Sequence, residues 1–280
     1  MTIRDIIMPL HPDATAGARA AEDFALALAA RMEAHLTALA PSFSYVLSGP
    51  NGARLPAEIR EELQQRSDEA ARAVLESFDA RSRALGVLSE ADTVCAGPVE
   101  FAERFAARAR TRDLSVVPQP TKDDAGWGGS LVEAVLFGTG RPVLIVPYVQ
   151  QGAPRFERVL VAWDGSKEAA RAVHDALPIL RHAKDVEVLT LHTERHRPEN
   201  LIPGADLAAH LARHRLTVTA RTTDATEIGL AEAMLSHAAD NGSEVIVMGG
   251  YAHSRLRHLV FGGATSGILR SMTVPILMAH

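Results

Sequence analysis

The chain is poor in cysteine, in lysine and in long apolar runs, and each shortage removes a class of function. Cys95 stands alone, flanked by Val94 and Ala96. One thiol cannot build a disulfide framework, and a lone cysteine between apolar neighbours reads as a buried residue of a reducing compartment. Lysine occurs only at Lys122, Lys167 and Lys184. None of these lies in a G-x4-G-K-[ST] loop, which excludes P-loop phosphate chemistry. No apolar run reaches the roughly 18 residues of a membrane span. Strand-like Ile6 to Met8 opens the chain in place of a signal peptide. A soluble cytoplasmic protein without a membrane partner is the plain expectation.

Charge and composition narrow the class further. With 29 basic and 34 acidic side chains the net charge is −5, which leaves no basic footprint for nucleic acid. Hydrophobic residues make up 47% and charged ones 22%, the balance of a packed core and not of a disordered chain. At 280 residues the chain exceeds one typical domain, and two of roughly 140 residues are expected.

The order of elements repeats. In the first half, Ile3 to Met8 reads as a strand. Thr15 to His35 reads as a helix with Phe24, Leu28 and Met32 on one stripe, and Leu36 to Ala40 as a short strand. Gly49 to Pro56 is a loop, Ala57 to Leu85 a long polar helix, Ser89 to Ala96 a strand and Pro98 to Thr111 a helix. Leu114 to Val117 is a strand, Gly128, Gly129 and Ser130 precede a helix over Leu131 to Phe137, and Pro142 to Val146 is the fifth strand. Glutamines, Gly152 and Pro154 mark a linker.

The second half follows suit, with strands over Val159 to Trp163, Val186 to Leu191, Val218 to Thr223, Val245 to Met248 and Val274 to Met278. Between them lie helices over Lys167 to Leu180, Ala205 to His214 and Glu227 to Asp240, and a short one carried by Ile268 and Leu269. Strands alternating with helices, twice over, predict an α/β doubly wound layout of two domains: 1–148, a linker at 149–156, and 157–280. The apolar fifth strands, PVLIVP and VPILMA, are edge-strand candidates that ought not to stay bare.

The stretch from Glu244 to Ala279 carries the chemistry. A strand runs into Gly249 and Gly250, then a basic loop with Arg255, Arg257 and His258, then Gly262 and Gly263. The closing helix and strand complete a βαβ unit, whose first turn lies where open parallel sheets bind ligands. Glycines permit close backbone approach and positive φ, and Thr265 and Ser266 supply hydroxyls near the helix start.

The spacing from Gly249 to Gly262, thirteen positions on, resembles the G-x2-G-x9-G-[ST] loop of universal stress proteins. Ala252 stands where that motif has its second glycine, and Gly263 where it has Ser or Thr. The segment Asp164, Gly165, Ser166 also resembles that family's D-G-S turn. The resemblance implies Rossmann-like domains of strand order 3-2-1-4-5, joined through their fifth strands as an internal pseudo-dimer, with a homodimer beyond it. It also implies an adenine nucleotide, ATP with Mg2+, held by Asp164, Gly249, Gly250, Ala252, Arg255, Gly262, Gly263 and Thr265. The function implied is stress-response signalling, or an adaptor role toward a protein partner that the sequence does not name.

Other readings stand beside these. Asp164 equally suits a helix cap, and Trp163 either fills the volume a purine needs or stacks on one. The basic loop suits phosphate or plain solvation. The departures at Ala252 and Gly263, together with Trp163, favour an interaction protein that has lost nucleotide binding, and a slow ATP hydrolase is a third reading. No catalytic residue is assigned: His253 and Ser254 are loop neighbours without an acid beside them. No metal site is assigned either. His210 and His214, and His192 and His196, are spaced four apart without an HExxH signature or a cysteine cluster. Pro118, Gln119 and Pro120 replace the glycine turn in the first half, where prolines offer no N–H to an anion. That half reads as a degenerate, structural copy.

Overall fold

The structure, a computed structural model, describes residues 2–12, 15–43, 56–121, 127–192, 204–226, 228–250 and 263–280. In the first half, β1 (Asp5–Pro9) leads through α1 (Ala16–Met32) to β2 (His35–Phe43), and α2 (Ala57–Ala84) leads to β3 (Ser89–Ala96). Then α3 (Pro98–Ala109), β4 (Leu114–Pro118), α4 (Trp127–Gly138) and β5 (Val143–Val146) follow. The second half repeats this as β6 (Arg158–Ala162), α5 (Lys167–Leu180), β7 (Asp185–His192), α6 (Gly204–Arg213), β8 (Val218–Asp224), α7 (Leu230–Asp240), β9 (Val245–Gly249), α8 (Gly263–Ser271) and β10 (Ile276–Ala279).

The ten strands form one sheet in the order β3-β2-β1-β4-β5-β10-β9-β6-β7-β8. Each half therefore has the expected order 3-2-1-4-5, and within each half all pairings are parallel. The halves meet where β5 and β10 run antiparallel, with Ile145 opposite Ile276, Leu144 opposite Leu277 and Val143 opposite Met278. Both seam strands are buried throughout, whereas the outer strands β3 and β8 alternate or stay exposed. The edges that a single half would leave bare thus satisfy each other's backbone groups.

Period-two alternation along the central strands divides the core between two faces. Ile6, Met8, Val116, Leu144, Val159, Val161 and Leu277 face α1, α2, α5 and α6 in one cluster. Ile7, Val117, Ile145, Leu160, Ile246 and Met278 face α3, α4, α7 and α8 in the other. Each helix docks the stripe its sequence supplies, Phe24 and Leu28 from α1 and Val173 and Leu177 from α5 among them.

Several boundaries differ from the sequence reading for local reasons. Helix α1 begins after Thr15, whose hydroxyl accepts from the Ala18 amide at 3.2 Å, and ends at Glu33, held at φ 50°. The glycine pair expected ahead of α4 lies inside its first turn, because Trp127 and Gly128 are buried there and burial overrides weak propensity. Helix α7 starts at Leu230 and not at Glu227, after Gly229 at φ 80°. Cys95, expected to be buried, is exposed: it lies on outer strand β3, where its Sγ accepts only from the Gln64 side chain of α2, at 3.8 Å, among the described residues. Phe156, at the end of the expected linker, is fully buried against Phe24, and the Arg31 guanidinium lies 5.2 Å from its ring centroid. The loop at positions 49–55 lies outside the described residues.

Contacts across the seam are specific. The Gln119 side-chain amide, buried just beyond β4, donates to the Leu269 carbonyl at 2.8 Å and to the Arg270 carbonyl at 3.3 Å. Its oxygen accepts from the Tyr148 N–H at 3.1 Å. One first-half side chain therefore caps the last turn of α8 and fixes the chain leaving β5. Arg171 of α5 reaches back to the Gly140 carbonyl at 2.9 Å. Replacing Gln119 with Leu leaves these buried groups without partners, so unfolding in urea should show a loss of about 1–3 kcal/mol with the fold retained. A variant as stable as the parent would show that the seam does not depend on this amide.

Candidate functional site

Strands β6 and β9 are parallel neighbours, with Val161 opposite Val247, yet the chain leaves them in opposite directions along the sheet. This is the switch point of the second half, where an open α/β sheet leaves a crevice beyond its carboxyl ends. Asp164 stands two residues past β6 and Gly250 one past β9.

The D-G-S segment is a fully specified turn. The Ser166 N–H donates to the Asp164 carboxylate at 2.9 Å, and Gly165 sits at φ 76°, a left-handed conformation that favours glycine. The Ser166 hydroxyl then accepts from the Ala169 N–H at 3.0 Å as the N-cap of α5. The cap is thus Ser166, while Asp164 braces the turn before it and keeps a half-buried carboxylate at the crevice. Trp163 is 7% exposed and packs with Val159 and Val161, so its indole fills core volume.

The glycine pair serves close packing rather than positive φ, since neither residue is among the left-handed glycines. A Cβ on Gly249 would fall 2.6 Å from the Ala169 amide nitrogen and 2.8 Å from the Glu168 carbonyl carbon, in the first turn of α5. On Gly250 it would meet Leu136 of the first half at 2.8 Å. The Gly250 N–H is already paired within the fold, donating to the Ala279 carbonyl at 2.8 Å. The Gly250 carbonyl in turn lies 3.0 Å from His280 Nδ1.

Helix α8 opens at Gly263, and Thr265 follows in its first turn, 1% exposed with a hydroxyl that has no hydrogen-bond partner among the described residues. An unsatisfied buried hydroxyl at a helix start is an unusual feature for a native fold. Ala252, Arg255 and Gly262, together with His253, Ser254, Arg257 and His258, lie outside the described residues. His196 does too, so the pairing of His192 with it is not described. His210 and His214 place their ring centroids 4.9 Å apart, edge to face, and no cluster of three or more metal-ligating side chains occurs among the described residues. Asp224, the last residue of β8 and paired with His192, accepts from the Thr226 hydroxyl and N–H, which hold its carboxyl below the usual range.

The corresponding crevice of the first half is built differently. Leu10 donates to the Leu39 carbonyl as Trp163 does to Leu189, which places His11 where the second half has Asp164. The His11 ring lies edge-on to Trp127 at 5.0 Å, and Trp127 stacks on Phe101 at 5.8 Å with Phe43 beside it at 6.4 Å. These aromatic rings, which the sequence reading did not single out, fill the space at the strand ends. Gln119 holds the place of Gly250: its N–H donates to Val146 as that of Gly250 does to Ala279.

The close approach at Gly249 gives a direct test of packing. Gly249→Ala should destabilise the fold by roughly 1–3 kcal/mol, because α5 must move to admit a methyl group. A thermal midpoint equal to that of the parent would mean that the first turn of α5 yields freely.

Comparison with known proteins follows the same division. Residues 155–280 match the model of the universal stress protein family. A universal stress protein of Synechocystis is 26% identical over 155 residues, which cover 54% of this chain and 51% of that protein. The chain thus spans about half the length of this curated relative. Among solved structures, a universal stress protein from Archaeoglobus fulgidus aligns over 98% of this chain and 97% of its own, with a TM-score of 0.70 at 17% identity. One from Pseudomonas aeruginosa, described as a putative universal stress protein, aligns over 99% and 93%, with a TM-score of 0.60 at 16% identity. The second half, residues 155–280, is thus matched by the universal stress protein family model, and the whole chain shares the fold of these solved universal stress proteins.

Proposed function

We propose that the second half holds an adenine nucleotide, ATP with Mg2+, at the β6/β9 crevice, and that the protein acts in cytoplasmic stress signalling through that occupancy. In this reading residues 1–148 form a structural copy, 149–156 the link and 157–280 the binding unit. The observation that carries it is the convergence of Asp164, the close-packed Gly249 turn and the orphan hydroxyl of Thr265 at one switch point. Asp164 offers a carboxylate suited to ribose or adenine donors. The start of α8 offers amides and a partial positive charge to phosphate. Gly249 lets β9 lie flush against α5, which sets the depth of the crevice. Ala252, Arg255, Gly262 and Gly263 would line the phosphate side. The sequence match to residues 155–280 falls on this half, while His11, Phe43, Phe101 and Trp127 occupy the equivalent place in the other.

A second reading is an interaction protein without nucleotide. It is favoured by the Gly250 N–H, committed to β10, and by the motif departures at Ala252 and Gly263. Calorimetric titration with ATP and magnesium separates the two. Binding is expected, with Asp164→Ala weakening it by about tenfold, the effect of one lost charge-assisted hydrogen bond. Pro118→Ala and Pro120→Ala should leave the affinity unchanged. Absence of heat at millimolar ATP, with folded protein, ends the nucleotide reading in favour of the second.

A further inference from the structure

At the opposite end of the sheet from the crevice, a hollow of about 470 Å³ is lined by Arg181, Arg213, His214, Arg215 and Leu216. No lining side chain is acidic, although the chain as a whole is acidic. The volume falls in the range of small-molecule sites.

The ordinary explanation of cations here is helix capping, because α5 and α6 both end at this hollow. Two helix C-termini bring roughly one negative charge together. Three guanidinium groups exceed that. The last carbonyls are moreover served by the backbone itself: Arg181 donates to Leu177, His182 to Ile179, His214 to Leu211 and Arg215 to Ala212. Among the described residues, neither Arg213 nor Arg215 makes a side-chain hydrogen bond or an ion pair. Capping does not account for them.

The chain contains its own control. The same backbone turn closes α2, where Leu85, Gly86 and Val87 occupy the places of His214, Arg215 and Leu216. Gly86 sits at φ 66°, and so does Arg215. A left-handed residue after a helix is ordinarily glycine, since a side chain there strains the backbone. After α2 the first half obeys that rule; after α1 it places Glu33, itself left-handed at φ 50°, where the second half places Arg181 after α5 in a right-handed conformation. The left-handed turn that follows α2 and α6 therefore carries glycine in one copy and a strained arginine among further cations in the other.

We infer that this hollow is a binding site for a compact, multiply charged phosphate, an oligophosphate, gripped by Arg181, Arg213 and Arg215 with His214 at its side. The planar guanidinium fork matches phosphate oxygens in pairs. An extended nucleic acid fits less well, because it needs a long basic track and the protein's net charge is −5. The site is independent of the β6/β9 crevice, and its fate does not depend on nucleotide binding there.

Inorganic triphosphate is the probe, and arginine-directed phenylglyoxal labelling read by mass spectrometry locates it. In the full chain, millimolar triphosphate should protect Arg213 and Arg215 severalfold and leave exposed Arg19 and Arg60 unaffected. The protection should fade between about 50 mM and 500 mM sodium chloride, as exposed charge contacts are screened. Arg215→Gly restores the residue that the turn prefers, so it should raise the thermal midpoint while weakening triphosphate by about tenfold. Equal labelling with and without triphosphate at low salt overturns the site, as does an Arg215→Gly protein that keeps full affinity.

Discussion

Everything in this molecule is arranged around a short antiparallel pairing between two strands that would otherwise be edges. Strands β5 and β10 are four residues each and wholly apolar, and alone they would expose unpaired amides and carbonyls beside hydrophobic side chains. Their mutual pairing makes two five-stranded units into one ten-stranded sheet and carries both core layers across the junction. It also sets the stagger at which the halves touch. Leu136 can press on Gly250, and Gln119 can reach the end of α8, because the antiparallel register leaves each fourth strand facing the other half's last helix.

That junction is close to a twofold arrangement in backbone and departs from it in side chains. In the middle of the sheet the copies are interchangeable apolar strands, since both faces are covered and only volume and branching matter there. At the two ends of the sheet they diverge. His11 replaces Asp164, Gln119 replaces Gly250, and Gly86 replaces Arg215. The first substitution belongs to an aromatic cluster that closes one crevice, and the second turns a close backbone approach into a structural hydrogen bond. The third removes a strained cation. Each exchange makes the first half the better scaffold, and the first and third leave charged groups in the second.

The fold was largely legible in the sequence because its signals are local. Continuous apolar runs marked strands covered on both faces, the stripes of Phe24 with Leu28 and Val173 with Leu177 marked docked helices, and repetition of the order gave the duplication. The Asp164 turn and the Gly249 turn could be found for the same reason, since tight turns demand particular residues. Where the reading failed, a distant partner decided the outcome. Thr15 and Ser166 took the caps through their hydroxyls, which accept from amides three residues on, but Cys95 is exposed because it lies on an outer strand, which no neighbouring residue reveals.

From sequence alone came the α/β class, the duplication and the two turns of the second half, because periodicity and turn chemistry act over a few residues; the 3-2-1-4-5 order came from the family resemblance. Only the tertiary structure could show that the Gly250 amide is already bound to β10 and that four aromatic rings gather at the first crevice. The gathering of Arg181, Arg213 and Arg215 around one hollow belongs with these. Each depends on segments far apart in the chain whose meeting is fixed by strand order and by the seam, and distance in sequence carries no mark of that meeting.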